Sequence, residues 1–269
     1  MKLALIGGGN MAEAILRGVL GRQLFAPQDL IVADISAERL AYIQAKYQAP
    51  TTISNIQALR GAENVLLAVK PQAIDSVLAE LNTLNNRRQF VISIAAGVPL
   101  AKIAGQKKFR AARAMPNTPA LIGQAASAFC CNELATPADR EFVLRLLQSI
   151  GTAVEVDEKD LNAVTGLSGS GPAFVFRLMD YFIQAGAGLG LPENKARTLV
   201  YQTFLGSAAL AAQSGRPLAE LIAQVTSPQG TTQAGREILE KSAVARIIND
   251  TIIRAKERAD ELAQGKYNI

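Results

Sequence analysis

The stretch Lys2–Gln23, KLALIGGGNMAEAILRGVLGRQ, joins a short apolar run, a glycine cluster and an amphipathic segment. Leu3–Ile6 predicts a buried strand, and the segment after the glycines predicts a helix. Gly7, Gly9 and Ala12 match the pattern G-x-G-x-x-G/A, whose glycines let the backbone turn tightly and approach a pyrophosphate. The helix start adds amide donors and a positive dipole end. The stretch therefore predicts a nicotinamide-dinucleotide site, with a plain glycine turn as the alternative.

The next strand supports a coenzyme site. Residues 29–35, DLIVADI, predict a strand ending near Asp34, which lies 22 residues beyond Ala12. Dinucleotide-binding folds place an acidic residue about 20 residues after the glycines, where it binds the ribose 2′-hydroxyl. The alternative is that Asp34 caps the following helix. The first-turn residues that we expect at the coenzyme are Ile6, Gly7, Gly8, Gly9, Asn10 and Met11.

Two more strand-loop-helix units occupy residues 63–81 and 89–104. Such alternation predicts a mostly parallel, doubly wound α/β sheet, in which ligands lie beyond the carboxyl ends of the strands. Lys70 sits at such an end and faces either a phosphate or substrate, or solvent. Asn55 either reaches the adenosine or caps a short helix. The further loop residues expected at the coenzyme are Ala68, Val69, Lys70, Pro71, Ala95, Ala96 and Gly97.

The composition narrows the chemistry. The 269 residues include no histidine, which excludes histidine acid-base catalysis and histidine metal ligation, and we expect no metal. The net charge of +5 is mild and the basic residues are scattered, so we expect no nucleic-acid partner. No apolar stretch is long enough for a membrane span, and the first apolar run is too short for a signal peptide, so we expect no membrane partner and a cytoplasmic location. Cys130 and Cys131 are expected to be two small buried side chains with no disulfide between them.

After Val156 the strand-helix alternation stops, and the rest of the chain predicts helices. We therefore expect a coenzyme domain over residues 1–157 and a helical domain over residues 158–269. Residues 174–183 have apolar side chains at helical spacing and predict a wide buried stripe. Because these helices have more apolar surface than one small bundle can cover, we expect a homodimer formed through the helical domain.

Three polar segments do not follow from the fold alone. Ser168, Gly169, Ser170 and Gly171 either bind a carboxylate through hydroxyls and helix-start amides or form a flexible interdomain turn. Met115, Pro116 and Asn117 follow a strand and either line the nicotinamide pocket or make a rigid turn. Val225–Thr232, VTSPQGTT, either connects two helices or lines a polar pocket.

Four segments resemble signatures of pyrroline-5-carboxylate reductases: AVKPQ at 68–72, RAMPNTPA at 113–120, GLSGSGPAFVF at 166–176 and VTSPQGTT at 225–232. Together with the glycine turn, the resemblance runs from residue 1 to about residue 235 in the same order. It implies reduction of the cyclic imine 1-pyrroline-5-carboxylate to L-proline by NADPH or NADH, the last step of proline biosynthesis. It also implies a Rossmann domain followed by an all-α dimerisation domain, and often a decamer built of five dimers.

The resemblance further assigns roles within VTSPQGTT. It places Thr232 at the imine nitrogen as the catalytic hydroxyl, and Gly230 and Thr231 at the substrate carboxylate, with Ser227 bracing the loop. One residue departs from the family pattern, because Gln229 stands where the family has glycine. If that glycine needs a positive φ, the glutamine puts the loop geometry in question.

Two other functions fit the same domain order. A β-hydroxyacid dehydrogenase of the 6-phosphogluconate type relies on a lysine in its helical domain, where this chain has Lys195 and Lys241. Neither lysine lies in a glycine-rich segment. A non-catalytic, nicotinamide-sensing Rossmann protein would have no need for the hydroxyl-rich stretch VTSPQGTT. Oxidation of NADPH in the presence of pyrroline-5-carboxylate distinguishes the three.

Overall fold

The computed structural model describes residues 2–84, 88–105 and 109–266. The chain packs as two units, one formed by the residues up to Ser170 and from Ile253 onward, the other by residues 171–252. Residues 158–170 thus pack with the first unit, since Leu161 is fully buried in its core. This division reflects how the chain packs and does not define functional domains. The predicted boundary between a coenzyme domain and a helical domain after residue 157 therefore stays a prediction.

The first unit is built on eight strands: β1 (Leu3–Ile6), β2 (Leu30–Ala33), β3 (Thr51–Thr52), β4 (Asn64–Leu67), β5 (Phe90–Ser93), β6 (Arg110–Met115), β7 (Ala125–Cys131) and β8 (Gly151–Glu155). They form one sheet in the order β3-β2-β1-β4-β5-β6-β7-β8. Neighbouring strands are parallel except β6 and β7. This confirms the predicted doubly wound, mostly parallel sheet, and the first six strands follow the order of dinucleotide-binding folds.

The α-helices that lie wholly within this unit are α1 (Asn10–Gly21), α2 (Ala37–Tyr47), α3 (Asn55–Arg60), α4 (Ile74–Thr83), α5 (Leu100–Ile103), α6 (Pro137–Gln148) and α7 (Leu161–Val164). They form two core clusters with the sheet. Leu3 and Leu5 enter one cluster, whereas Ala4 and Ile6 enter the other. The alternation of a strand thus fills both cores, which is why β1 is continuously apolar.

The adjacent cysteines of β7 follow the same alternation. Cys130 is buried in the second cluster, Cys131 packs partly exposed against the first, and both thiols are free. Burial raises the pKa of Cys130 to about 11 and that of Cys131 to about 12. Both side chains are therefore neutral packing groups near pH 7.

The second unit is helical and contains α8 (Gly171–Gly188), α9 (Glu193–Ser214), α10 (Leu218–Gln224), α11 (Thr231–Lys241) and the first part of α12 (Val244–Ala263). The stripe expected to be buried along residues 174–183 is only partly so. Ile183 is buried, but Phe176 and Phe182 are exposed. The helices of a single chain are too few to cover this apolar face, which therefore remains on the outside of the unit.

The packing of α1 against the end of α6 generates a test. A Cβ at Gly18 would lie 2.7 Å from both the carbonyl oxygen and Oγ of Ser149. Gly18→Ala should therefore lower the free energy of unfolding by about 1–3 kcal/mol. Gly21→Ala in the same helix is the matched control, because a Cβ there would meet no atom within 4 Å. Equal thermal midpoints for the two variants would contradict this close approach.

Candidate functional site

The turn between β1 and α1 is shaped by Gly7. Its φ is +97°, and a Cβ there would lie 2.7 Å from the carbonyl oxygen of Ala68, just beyond β4. Its N–H donates to the carbonyl oxygen of Ala33 at the end of β2 (2.7 Å). Only glycine fits a backbone with this φ so close to a neighbouring strand. The turn therefore lies against the carboxyl ends of three parallel strands.

The start of α1 offers an anion-binding cradle. Gly9 is the N-cap residue, and no side chain caps the helix. A Cβ on Gly9 would meet no atom within 4 Å, and Gly9 and Asn10 are exposed. The first amides of a helix lack carbonyl partners within it, and the helix dipole makes this end positive. The cradle therefore fits the pyrophosphate of a dinucleotide, whose oxygens can accept these hydrogen bonds.

Asp34 ties the glycine turn to the end of β2. Its Oδ2 accepts from the N–H of Gly8 (2.6 Å) and its Oδ1 from the N–H of Ser36 (2.9 Å). The hydroxyl of Ser36 caps α2 by accepting from the N–H of Arg39. Asp34 is therefore not the capping residue. It lies beside the glycine turn, where a ribose-binding acid belongs, and its contact with a ribose stays a prediction.

The parallel register brings the other predicted loops to the same edge of the sheet. Ile6 pairs with Leu67, and Leu67 pairs with Ser93. The loops Ala68–Pro71 and Ala95–Gly97 therefore follow their strands at the level of the glycine turn. Within the first of these loops, Lys70 is exposed. The structure thus gathers these segments as expected, while their contacts with a coenzyme stay predictions.

Two apolar side chains at this edge of the sheet were not predicted from the sequence to belong to the site. Ile35 follows β2 and is 97% exposed, and Ile53 follows β3 and is 73% exposed. Both offer apolar surface of the kind that an adenine ring covers, and an apolar residue just beyond each strand was the available signal. Asn55 lies nearby but does not cap α3, because Ser54 does, and its Nδ2 donates to Oε1 of Glu80 (3.3 Å). The reach of Asn55 to adenosine stays a prediction.

Asn117 bridges two segments of the first unit. Its Oδ1 accepts from the N–H of Ala126 in β7 (2.9 Å), and its Nδ2 donates to the carbonyl oxygen of Ser168 (3.0 Å). The residue is only 8% exposed. Met115 packs on the same turn, since a Cβ on Gly169 would lie 2.5 Å from its Cε. Asn117 thus positions the turn at Ser168, and a contact with the nicotinamide stays a prediction.

The turn at Ser168 is ordered. Thr165–Gly169 forms a π-helical turn directly after α7. The N–H of Ser170 donates to the carbonyl oxygen of Thr165 (2.9 Å), and the buried Thr165 hydroxyl donates to that of Leu161 (2.8 Å). Such turns frequently occur at functional sites. The segment is therefore hydrogen-bonded as a helical turn, and its binding of a carboxylate stays a prediction.

In the second unit, VTSPQGTT is both a connector and a helix start. Residues 225–230 join α10 to α11, whereas Thr231 and Thr232 are the first residues of α11. Gly230 is the N-cap residue, with no side-chain cap. Its N–H donates to the carbonyl oxygen of Ser227 (3.1 Å), so Ser227 braces the loop through its backbone. Both threonines are exposed.

Gln229, which departs from the family pattern, has a left-handed backbone. It has a φ of 58°, a left-handed conformation that glycine adopts more readily. Its N–H donates to Oε1 of Gln233 in the first turn of α11 (2.8 Å). This bond holds the glutamine in the strained conformation.

Gln229→Gly tests that strain. Glycine keeps the N–H and relieves about 1–2 kcal/mol of left-handed strain. It also loses more conformational entropy on folding, which lowers stability by about 0.5–1 kcal/mol. We expect the free energy of unfolding to rise by up to about 1 kcal/mol in denaturant titrations. Gln213→Gly, at an exposed helical position of α9, is the control and should lose about 0.5–1 kcal/mol. Equal losses at both positions would mean that Gln229 is unstrained.

Within residues 2–84, 88–105 and 109–266, no group of three histidine, cysteine, aspartate or glutamate side chains could hold a metal ion. In that same part of the chain, no helix has both the length and the apolar character needed to cross a membrane.

Two family models match the chain. Residues 158–262 match the model described as pyrroline-5-carboxylate reductase dimerisation. Residues 2–97 match the model described as NADP oxidoreductase, coenzyme F420-dependent. The oxidoreductase model matches the part of the chain that contains β1 to β5, and the dimerisation model matches the part that contains α8 to α11 and nearly all of α12.

Similar proteins cover nearly the whole chain. The pyrroline-5-carboxylate reductase of Synechocystis is 40% identical over 98% of this chain and 99% of its own length. The solved pyrroline-5-carboxylate reductase of Coxiella burnetii has a TM-score of 0.93 at 32% identity, covering 97% of this chain and 98% of that one. The Plasmodium falciparum pyrroline carboxylate reductase, solved with NADP bound, has a TM-score of 0.86 at 27% identity and covers 98% of both chains. By this likeness over almost its full length, the chain belongs to the pyrroline-5-carboxylate reductase family.

Proposed function

We propose that this chain reduces 1-pyrroline-5-carboxylate to L-proline with NADPH or NADH, the last step of proline biosynthesis. The observation behind the proposal is the uncapped start of α1 behind a glycine turn, in a chain 40% identical to a curated reductase. The test mixes the protein with the imine and NADPH and follows the absorbance of the reduced nicotinamide. Oxidation with the imine supports the reductase, whereas NADP reduction by a hydroxyacid supports the dehydrogenase alternative.

The first unit binds the coenzyme in this proposal. When bound, the coenzyme supplies the hydride that reduces the C=N carbon. The helix-start amides of α1 hold the pyrophosphate, and Asp34 binds the adenosine ribose. Ala68–Pro71 and Ala95–Gly97 complete the coenzyme edge of the sheet. The common level of these loops at the carboxyl ends of parallel strands supports the assignment.

The substrate carboxylate needs donors, and two segments are assigned to the substrate. At α11, the amide of Thr231 faces no side-chain cap, and the positive end of the helix dipole favours an anion. The N–H of Gly230, also assigned to the carboxylate, already donates to the carbonyl oxygen of Ser227 in this structure. The ordered turn of the first unit that includes Ser168 is the other segment. The family resemblance assigns Thr232 to the imine nitrogen, and its exposed position in the first turn of α11 supports this assignment.

Reduction of the imine adds a hydride to carbon and a proton to nitrogen. The imine nitrogen is basic enough to arrive already protonated, which fits a chain without histidine. The Thr232 hydroxyl then accepts the N–H of the iminium and orients it for hydride attack, instead of supplying the proton.

Thr232→Ala removes that orienting hydroxyl. Because the substrate brings its own proton, we expect kcat/KM for the imine to fall about 10- to 100-fold, the lower part of the range for such groups. The dissociation constant of the coenzyme should stay unchanged. Thr232→Ser keeps the hydroxyl and most of the activity. An alanine variant within about twofold of the wild type would reduce VTSPQGTT to a connector.

Asn117→Asp tests the positioning of the Ser168 turn. Aspartate keeps an oxygen that accepts from the N–H of Ala126. It replaces the amide nitrogen that donates to the Ser168 carbonyl with a second oxygen, which repels that carbonyl. We expect the KM for the imine to rise about 10-fold, in addition to a loss of about 1–3 kcal/mol of stability.

The chain offers a matched control for Asn117. Asn132 is also buried, accepts from the N–H of Ala111 and donates to the carbonyl oxygen of Phe109. Asn132→Asp should lose similar stability with no change in KM. Parallel changes in both variants would show that Asn117 has only a structural role.

The second unit is proposed to form the homodimer. Its exposed apolar side chains coincide with the match to the dimerisation model, and assembly of five dimers into a decamer is the finer proposal. Light scattering should give a mass of at least twice the 28.5 kDa of one chain. A monomer at micromolar concentration would contradict the proposal. The cytoplasmic location stays a prediction.

A further inference from the structure

Glu13, in the first turn of α1, gathers four side chains of α2. Its Oε2 accepts from Nη2 of Arg39 (2.5 Å). Its Oε1 accepts from the hydroxyls of Tyr42 (3.0 Å) and Tyr47 (2.7 Å) and from Nζ of Lys46 (3.0 Å). We call these five residues the Glu13 cluster. The Glu13 side chain is only 16% exposed, which strengthens each of these charged contacts.

The cluster fixes the position of Arg39. Nε of Arg39 donates to the carbonyl oxygen of Gly8 (2.5 Å), while Nη2 binds Glu13. The guanidinium also lies over the ring of Tyr42, 5.0 Å from its centroid. Lys46 is held in a similar way, between Glu13 and the Tyr42 hydroxyl. Both cations are therefore paired within the protein.

Of these two cations, Arg39 lies where coenzyme choice is made. In dinucleotide-binding folds, the acid after the second strand binds a free ribose 2′-hydroxyl, whereas a nearby arginine accommodates the 2′-phosphate of NADP. Here Asp34 is that acid, and Arg39 lies five residues further along the chain. A 2′-phosphate in this position would meet the carboxylate of Asp34 while Arg39 is directed toward Gly8 and Glu13.

We infer that Glu13 determines coenzyme specificity: by holding Arg39 it withholds this cation from the 2′-phosphate, so that the chain favours NADH over NADPH. The inference rests on the coenzyme site of the proposed function. Although burial opposes ionisation, hydrogen bonds from Tyr47, Arg39, Lys46 and Tyr42 lower the pKa of Glu13 to about 2. The carboxylate therefore keeps its charge, and its hold on both cations, at every pH used for coenzyme binding.

The test measures dissociation constants of NADH and NADPH by titration calorimetry, without substrate. The wild type should bind NADH at least about 5-fold more tightly than NADPH. Glu13→Gln should narrow the ratio of the two dissociation constants at least about 5-fold, chiefly by tightening NADPH binding, because it releases Arg39. Asp34→Asn should also narrow the ratio, through loss of direct repulsion.

Asp139→Asn is the matched control. Asp139 is likewise a buried carboxylate bound by an arginine, Arg110 (2.6 Å), but it lies at the start of α6. This substitution removes the same charge and should leave the coenzyme ratio unchanged. An equal narrowing in Asp139→Asn would show a general effect of net charge and overturn the inference.

Arg39→Gln distinguishes two explanations of a changed ratio in Glu13→Gln: release of the Arg39 cation and misfolding of the glycine turn. In the wild type it should change the ratio of NADH to NADPH affinity by less than about twofold, because a disturbed turn weakens both coenzymes alike, whereas in Glu13→Gln it should abolish the change in that ratio. Wild-type preference for NADPH, or an unchanged ratio in Glu13→Gln, would overturn the inference alone. Failure of both coenzymes to bind the wild type would overturn the proposed function as well.

Discussion

The close approach of Gly7 to the carbonyl of Ala68 is the constraint on which the first unit depends. It sets where β1 ends and α1 begins, and the Asp34 carboxylate fixes the next residue of the turn. From there the constraint extends along α1. Arg17 donates to the carbonyl oxygens of Ala120 (3.2 Å) and Leu121 (2.5 Å), which binds the helix to the segment beyond β6.

Asn117 continues this chain of contacts. It precedes the segment held by Arg17 and donates to the carbonyl oxygen of Ser168. The glycine turn, the end of β6 and the π-helical turn are therefore linked through hydrogen bonds within one unit. A disturbance of α1 would reach the Ser168 turn through these bonds, because a buried polar group that loses its hydrogen-bond partner destabilises the fold.

The sequence was enough to predict the parts of the fold that depend on local pattern. Leu3–Ile6, the glycines after it and the amphipathic α1 are each recognisable from a few neighbouring residues. The bonds that shape the site were not predictable in this way. Asn117 and Ser168 lie 51 residues apart, and Asp34 and Gly8 lie 26 apart. Only the folded sheet brings such partners together.

The second unit shows a different limit of the sequence. The apolar spacing of α8 predicted a wide buried stripe, whereas only Ile183 of this helix is buried in one chain, because the spacing does not say whether the cover comes from the same chain. Phe176 and Phe182 remain exposed because one chain supplies too few helices. A match to a dimerisation model over residues 158–262 indicates a second copy as the cover. The pattern of a helix thus predicts burial, while its partner must be found by other means.

The ionisable groups explain how such a site can function without a histidine. Three side chains with strongly shifted pKa values have moved away from neutrality: the pKa of Cys130 is about 11, that of Cys131 about 12 and that of Glu13 about 2. None of these three can exchange a proton efficiently near pH 7, where a general acid or base needs a pKa close to the ambient pH. A basic imine removes that need, because its proton enters with the substrate. The protein must then hold and orient two ligands, and hydroxyls, backbone amides and helix dipoles suffice for that task.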